Sequence, residues 1–159
     1  MAIATSLENF LLSQQIDYHL LKHRPTPNLL DTARAATLSP TAVARAVLLR
    51  DGAQRHWIVL IPSDRLPDLE RITDLVGARV EPCTLPQGST LFADCHPGVT
   101  PPFGQPYHLA TLVDRALLEP RVLYVEDGDP TELIRLDQTQ FRRLIRDSQV
   151  TDLSSYRPH

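Results

Sequence analysis

Hydrophobic positions recur along this chain with a helical period in some stretches and a strand period in others, and the switches between them mark out the elements. Leu7, Phe10 and Leu11 share a helical face behind Thr5 and Glu8, which have capping-box spacing, so a first helix is predicted over 6–15. A short strand follows at 18–21. Asn28 is placed to cap a helix over 29–36, and Ser39-Pro40 is a start signal for a short third helix. Residues 46–49 and 56–61 are apolar runs separated by Asp51-Gly52, which predicts a hairpin. Leu66, Leu69, Ile72, Leu75 and Val76 are spaced for a helix that Gly77 would end. A brief strand at 79–81 and a short helix within 85–93 come next. Residues 109–113, 122–126 and 133–136 read as strands, with Gly128-Asp129-Pro130 turning the chain between the last two. Asp137 and Gln140 open a final helix whose inward stripe is Phe141, Leu144 and Ile145. Strands and helices are mixed, with at least two hairpins, so the fold class is α+β with a mixed sheet. The periodicity fades after Ser148, which places one domain at 1–147 and a tail or linker at 148–159.

Composition narrows the picture. At 159 residues with 42% hydrophobic and 22% charged, the chain suits one folded domain with a normal core. No apolar run approaches the roughly 20 residues that span a bilayer, and the N-terminus lacks signal-peptide features, so no membrane partner and a cytoplasmic location are expected. The formal net charge of −3 argues against a general DNA- or RNA-coating protein and leaves room for a local nucleic-acid contact. Lys22 is the single lysine among the sixteen cations. Cys83 and Cys95 form no metal-binding pair, and the six histidines show no zinc spacing, so no metal is expected and Cys95-His96 has no visible third partner.

Candidate chemistry centres on Gly98-Val99-Thr100-Pro101-Pro102-Phe103-Gly104. Prolines fix φ and remove donors, while glycines open conformations closed to other residues. Such a loop is rigid and lets its backbone approach a ligand.

Together with other segments, this loop resembles the YbaK/ProX-type aminoacyl-tRNA deacylases, which also occur as the editing insertion of some prolyl-tRNA synthetases. The matching features run in order: His23 after the first strand, the segment from Val43 to Asp51 around Arg45, the Gly98–Gly104 loop, Val113-Asp114 with Leu117, and the turn at Gly128. The resemblance covers roughly residues 5–146. It implies a mixed, barrel-like sheet flanked by helices, with a pocket between the Arg45 strand and the Gly98 loop. It also implies hydrolysis of the ester at the acceptor end of a mischarged aminoacyl-tRNA, with no cofactor and no covalent nucleophile. Arg45 and Gly98 would be the catalytic residues; His23, Leu48, Pro101, Phe103 and Gly128 would contact substrate. Related proteins place such a domain ahead of a C-terminal partner domain.

Two positions depart from the family pattern. Arg45 stands where the family has lysine, and Pro130 stands where many relatives have histidine. Arginine keeps its proton and binds through a planar fork rather than a compact ammonium. These departures motivate an alternative, a catalytically degenerate module that binds tRNA or a small ligand.

Overall fold

The computed structural model describes residues 3–24, 26, 28–86 and 89–156. Its elements are α1 (Thr5–Ser13), β1 (His19–Lys22), α2 (Leu29–Ala35), β2 (Val43–Asp51), β3 (His56–Pro62), β4 (Arg65–Pro67), α3 (Leu69–Val76), β5 (Val80–Pro82), β6 (Ala110–Asp114), β7 (Val122–Glu126), β8 (Glu132–Asp137), α4 (Gln138–Leu144), β9 (Gln149–Thr151) and β10 (Ser154–Tyr156). Single 3-10 turns stand at Pro40–Ala42, Gln105–Tyr107 and Arg115–Leu118. The fold is α+β around one mixed sheet, ordered β1-β8-β7-β2-β3-β6-β9, with β5 paired to β2. Among the described residues no helix is long and apolar enough to cross a membrane.

Strand alternation divides the core in two. Ala44, Leu48, Ile58, Leu60, Val113, Leu123 and Val125 face one side, where Leu7 and Leu11 of α1, Phe141 and Leu144 of α4, and Phe103 cover them. Val47, Leu49, Val59, Ile61 and Leu112 face the other, beneath Ile72 of α3 and Leu153. Phe103 is 1% exposed, with its ring 6.0 Å from that of Phe10 and 6.4 Å from that of Phe141.

Local signals held where they involve near neighbours. Asn28, Asp68 and Asp137 each accept a backbone N–H three residues on, and Gly77 ends α3 in the left-handed conformation (φ 75°). Four expectations are corrected. Thr5 does not cap α1; instead Asp94, from a distant loop, accepts the Ser6 N–H at 2.7 Å. The helix expected from Leu66 starts at Leu69, because 65–67 pair with β10 and Asp68 caps the turn that follows. The helix expected within 85–93 is replaced by turns and irregular chain, with Gln87 and Gly88 outside the described residues. Beyond Ser148 the chain forms β9 against β6 and β10 against β4. Asp114 anchors that return by accepting the Leu153 N–H at 3.0 Å and the Ser154 hydroxyl, as well as capping the turn after β6 at the Ala116 N–H.

Candidate active site

The sheet is split along one edge of β2. β7 runs parallel to β2 and pairs with Val43 and Ala44; β5 runs antiparallel and pairs with Leu49, Arg50 and Asp51. Residues 45–48 fall between the two ladders, where the Cys83 N–H donates to the Leu48 carbonyl at 3.0 Å. Diverging strands expose backbone and side chains of the central strand, a common origin of clefts in mixed sheets. By alternation, Arg45 and Leu48 project from this gap to opposite faces.

On the Leu48 side lies a cavity of about 460 Å³ walled by Leu48, Cys83, Leu85, Phe92, Cys95 and the loop His96–Thr100. Gly98 holds φ 83°, a conformation costly for any residue with a Cβ, and its own Cβ direction is open space. The loop is fastened at both ends. The His96 N–H donates to the Gly128 carbonyl at 2.8 Å, and the buried Gly104 N–H donates to the Thr111 hydroxyl at 2.8 Å. Gly128 (φ 96°) is packed against Ala4 and the Cys95 sulfur, so it permits close approach of the turn to α1 and the loop. Leu48 and Gly98 therefore line the cavity, while Pro101 and Phe103 are buried outside its lining.

Burial raises both thiols of the cavity wall, Cys83 and Cys95. Burial pushes the Cys95 thiol up to about 11, partly offset by the Tyr107 hydroxyl. Burial alone would raise Asp94, but bonds from the Ser6 N–H and the Tyr107 O–H outweigh it and hold the carboxyl low. Cys95 thus remains a thiol at neutral pH rather than the thiolate a nucleophile requires. Among the described residues no cluster of His, Cys, Asp or Glu is arranged to hold a metal ion.

On the opposite face, Arg45 donates from Nη1 to the Arg65 carbonyl at 3.3 Å. One position past the last β2–β7 pair, Glu126 stands beside it at the end of β7. Burial pushes the Glu126 carboxyl up to about 7 even though the Arg45 charge pulls it down. Nearby, Asp64 Oδ1 and Arg65 Nε are buried without a hydrogen-bond partner among the described residues, an arrangement that usually marks a place where water or a ligand binds. The sequence reading did not include Glu126. Its strand was legible, but which strand it would neighbour was not.

His23 is half-buried after β1; its N–H donates to the Thr131 carbonyl, and its Nδ1 lies 2.8 Å from the Arg24 carbonyl. It borders the β8 end of the sheet. Pro130 sits in the turn between β7 and β8 next to Asp127 and Asp129. Asp127 is fully buried with Oδ2 unpartnered among the described residues, and burial pushes it up to about 7, with Glu132 and Asp129 adding to the rise. A carboxyl that binds its proton more tightly folded than unfolded gives stability that is full below its unfolded value and lost as pH rises toward 7. Asp127→Asn is therefore expected to match the wild type near pH 4. At pH 8 it should be more stable by about 1–3 kcal/mol. Urea unfolding at the two pH values checks this, and equal stability at pH 8 would refute it.

These features have counterparts among known proteins. Residues 23–144 match the family profile described as aminoacyl-tRNA editing domain. The chain belongs to that family. No curated protein sequence matches it significantly. Among solved structures, hypothetical protein APE2540 is 21% identical with a TM-score of 0.81, the match covering 94% of this chain and 99% of that one. A proposed trans-editing enzyme for prolyl tRNA synthetase is 19% identical with a TM-score of 0.77, over 97% and 99% of the two chains. A proposed signal transduction protein from Marinobacter aquaeolei VT8 is 15% identical with a TM-score of 0.75; the match covers 96% of this chain but 31% of that one. At these identities the likeness is one of fold.

Proposed function

We propose that this domain is an aminoacyl-tRNA deacylase of the YbaK/ProX kind, acting in the cytoplasm on the acceptor end of mischarged tRNA. The observation that carries the reading is the split in the sheet within an editing-family fold, with Arg45 at one side and the Gly98 loop at the other. An aminoacyl ester is already activated, so holding its carbonyl and a water in register supplies much of the required rate. Backbone N–H groups of a rigid glycine loop are suited to stabilising the oxyanion as it forms. Arg45 would hold the aminoacyl or terminal-ribose end through its planar fork. His23, Pro101, Phe103 and Gly128 would shape the surroundings rather than react.

Single-turnover hydrolysis of alanyl- and cysteinyl-tRNA carrying the proline acceptor tests the reading, with wild type, Arg45→Lys and Gly98→Val side by side. Wild type is expected to cleave at least one ester. Valine at Gly98 is expected to slow cleavage about tenfold, because the left-handed backbone is strained for a β-branched residue and the oxyanion donors move. The Arg45 hydrogen bond to the Arg65 carbonyl favours the second reading, in which this cation is structural and the domain only binds. Tight tRNA binding without cleavage by wild type or Arg45→Lys would establish that reading instead.

A further inference from the structure

Hydrolysis needs a group that takes a proton from water, and the wall of the cavity beside Gly98 carries one. Among the described residues of that wall, only Cys83, Cys95 and His96 have side chains that titrate in water. Burial keeps the two cysteines as thiols. Asp94 stands next in sequence, but its carboxylate already accepts the Ser6 N–H at 2.7 Å and the Tyr107 hydroxyl at 2.9 Å. That leaves His96, and imidazole is the side chain that exchanges protons near neutral pH. The residue is fixed in place: its N–H donates to the Gly128 carbonyl at 2.8 Å, and its own carbonyl accepts the Val99 N–H at 3.0 Å. Its Nδ1 lies 3.0 Å from the Pro97 carbonyl. A carbonyl only accepts, so in the neutral ring Nδ1 carries the proton and Nε2 keeps the lone pair. Among the described residues Nε2 has no hydrogen-bond partner, and His96 is exposed to water. Two positions on, the Gly98 N–H also makes no hydrogen bond among the described residues.

We infer that His96 is the general base of the hydrolysis. This rests on the deacylase reading above. His96 shares the cavity wall with the loop that holds the ester carbonyl in that reading, whereas Glu126 lies on the other face of the sheet. Nε2 takes a proton from a water molecule, and the water oxygen forms a bond to the ester carbonyl carbon as the C=O π pair moves onto oxygen. The Gly98 N–H is the donor available to that oxygen. When the tetrahedral adduct collapses, the bond from that carbon to the ribose oxygen breaks. The imidazolium returns its proton to the ribose oxygen. Free amino acid and uncharged tRNA leave, and the neutral ring is restored. One carboxylate acts on the ring, that of Asp129 in the adjoining turn. Burial would raise Asp129, but bonds from Thr131 outweigh it, and the His96 charge helps to hold the carboxyl low. The imidazolium formed midway through the cycle therefore meets an ionised carboxylate.

The test is single-turnover hydrolysis of alanyl- and cysteinyl-tRNA carrying the proline acceptor by wild type, His96→Ala and His96→Asn, with and without added imidazole. Rates are corrected for hydrolysis in protein-free solution at the same imidazole concentration, and thermal melts are run alongside. Both variants should stay folded and lose about a hundredfold in rate. Asparagine keeps an N–H near the place of Nδ1, so its loss separates proton transfer from the fastening to the Pro97 carbonyl. Free imidazole should restore part of the rate to the alanine variant and leave wild type unchanged. An alanine variant within threefold of wild type overturns the inference while leaving the deacylase reading intact, and so does an asparagine variant as fast as wild type. A loss in the alanine variant that imidazole leaves unrestored overturns it too. A wild type that cleaves none of the esters overturns both.

Discussion

Gly104→Ala is expected to cost at least about 4 kcal/mol of stability, through overpacking and lost buried hydrogen bonds together. A Cβ on Gly104 would lie 2.4 Å from the Leu109 carbonyl oxygen and 2.9 Å from its carbon. Both atoms are backbone, so no side-chain rotation relieves the clash. The glycine's φ of −82° is ordinary for alanine, which isolates the cause as steric rather than conformational. Relief requires moving the chain that donates the Gly104 N–H to Thr111 and brings the Tyr107 and Leu109 N–H groups to the Gly104 carbonyl. Phe103 would move with it, out of its place between Phe10 and Phe141. For a domain whose total stability is about 5–15 kcal/mol, a midpoint loss of roughly 10 °C or more should appear in a thermal melt. A melt within 3 °C of wild type would show that the loop yields more easily than its fastening suggests, about 1 kcal/mol at this chain length.

Arg45→Ala is the second large effect. Removing one preorganised donor from a reacting centre typically costs about 10²–10³ in rate, and that loss is expected in single-turnover cleavage. The same change removes the cation that holds the Glu126 carboxyl down, so its proton affinity should rise further. Arg45→Lys keeps the charge, while its shorter head group reaches the Arg65 carbonyl less well. Equal rates for wild type and Arg45→Ala would remove this residue from the mechanism.

Much of the architecture was legible in the sequence because it is written in short-range rules. Asn28, Asp68, Gly77 and Asp137 act on residues within a turn of themselves, and these ends fall where residue type puts them, although Asp68 lay inside the span first expected to be helical. The Asp51 turn is likewise local: its carboxylate accepts the Ala53 and Arg55 N–H groups and pairs with the Arg55 side chain. Most of the misread elements depend on remote partners. α1 is capped by Asp94, 88 positions away, and the three-residue strands β4, β9 and β10 are too short for any period to reveal.

The sequence by itself determined the α+β class, the order of the long elements, the Gly98–Gly104 loop and the editing-family kinship, since each follows from periodicity, turn chemistry or ordered motifs. Only the tertiary structure decided which side chains meet. Alternation along β2 is a local fact, but the strand lying beside Arg45 is set by a parallel pairing across about 80 positions, and that pairing brings Glu126 to it. The same pairing ends after Ala44 and leaves the sheet open between β7 and β5, so the cavity and the Arg45–Glu126 pair occupy opposite faces of one gap. Contacts of that range depend on how the whole core packs, and no window along the chain contains the residues that make them.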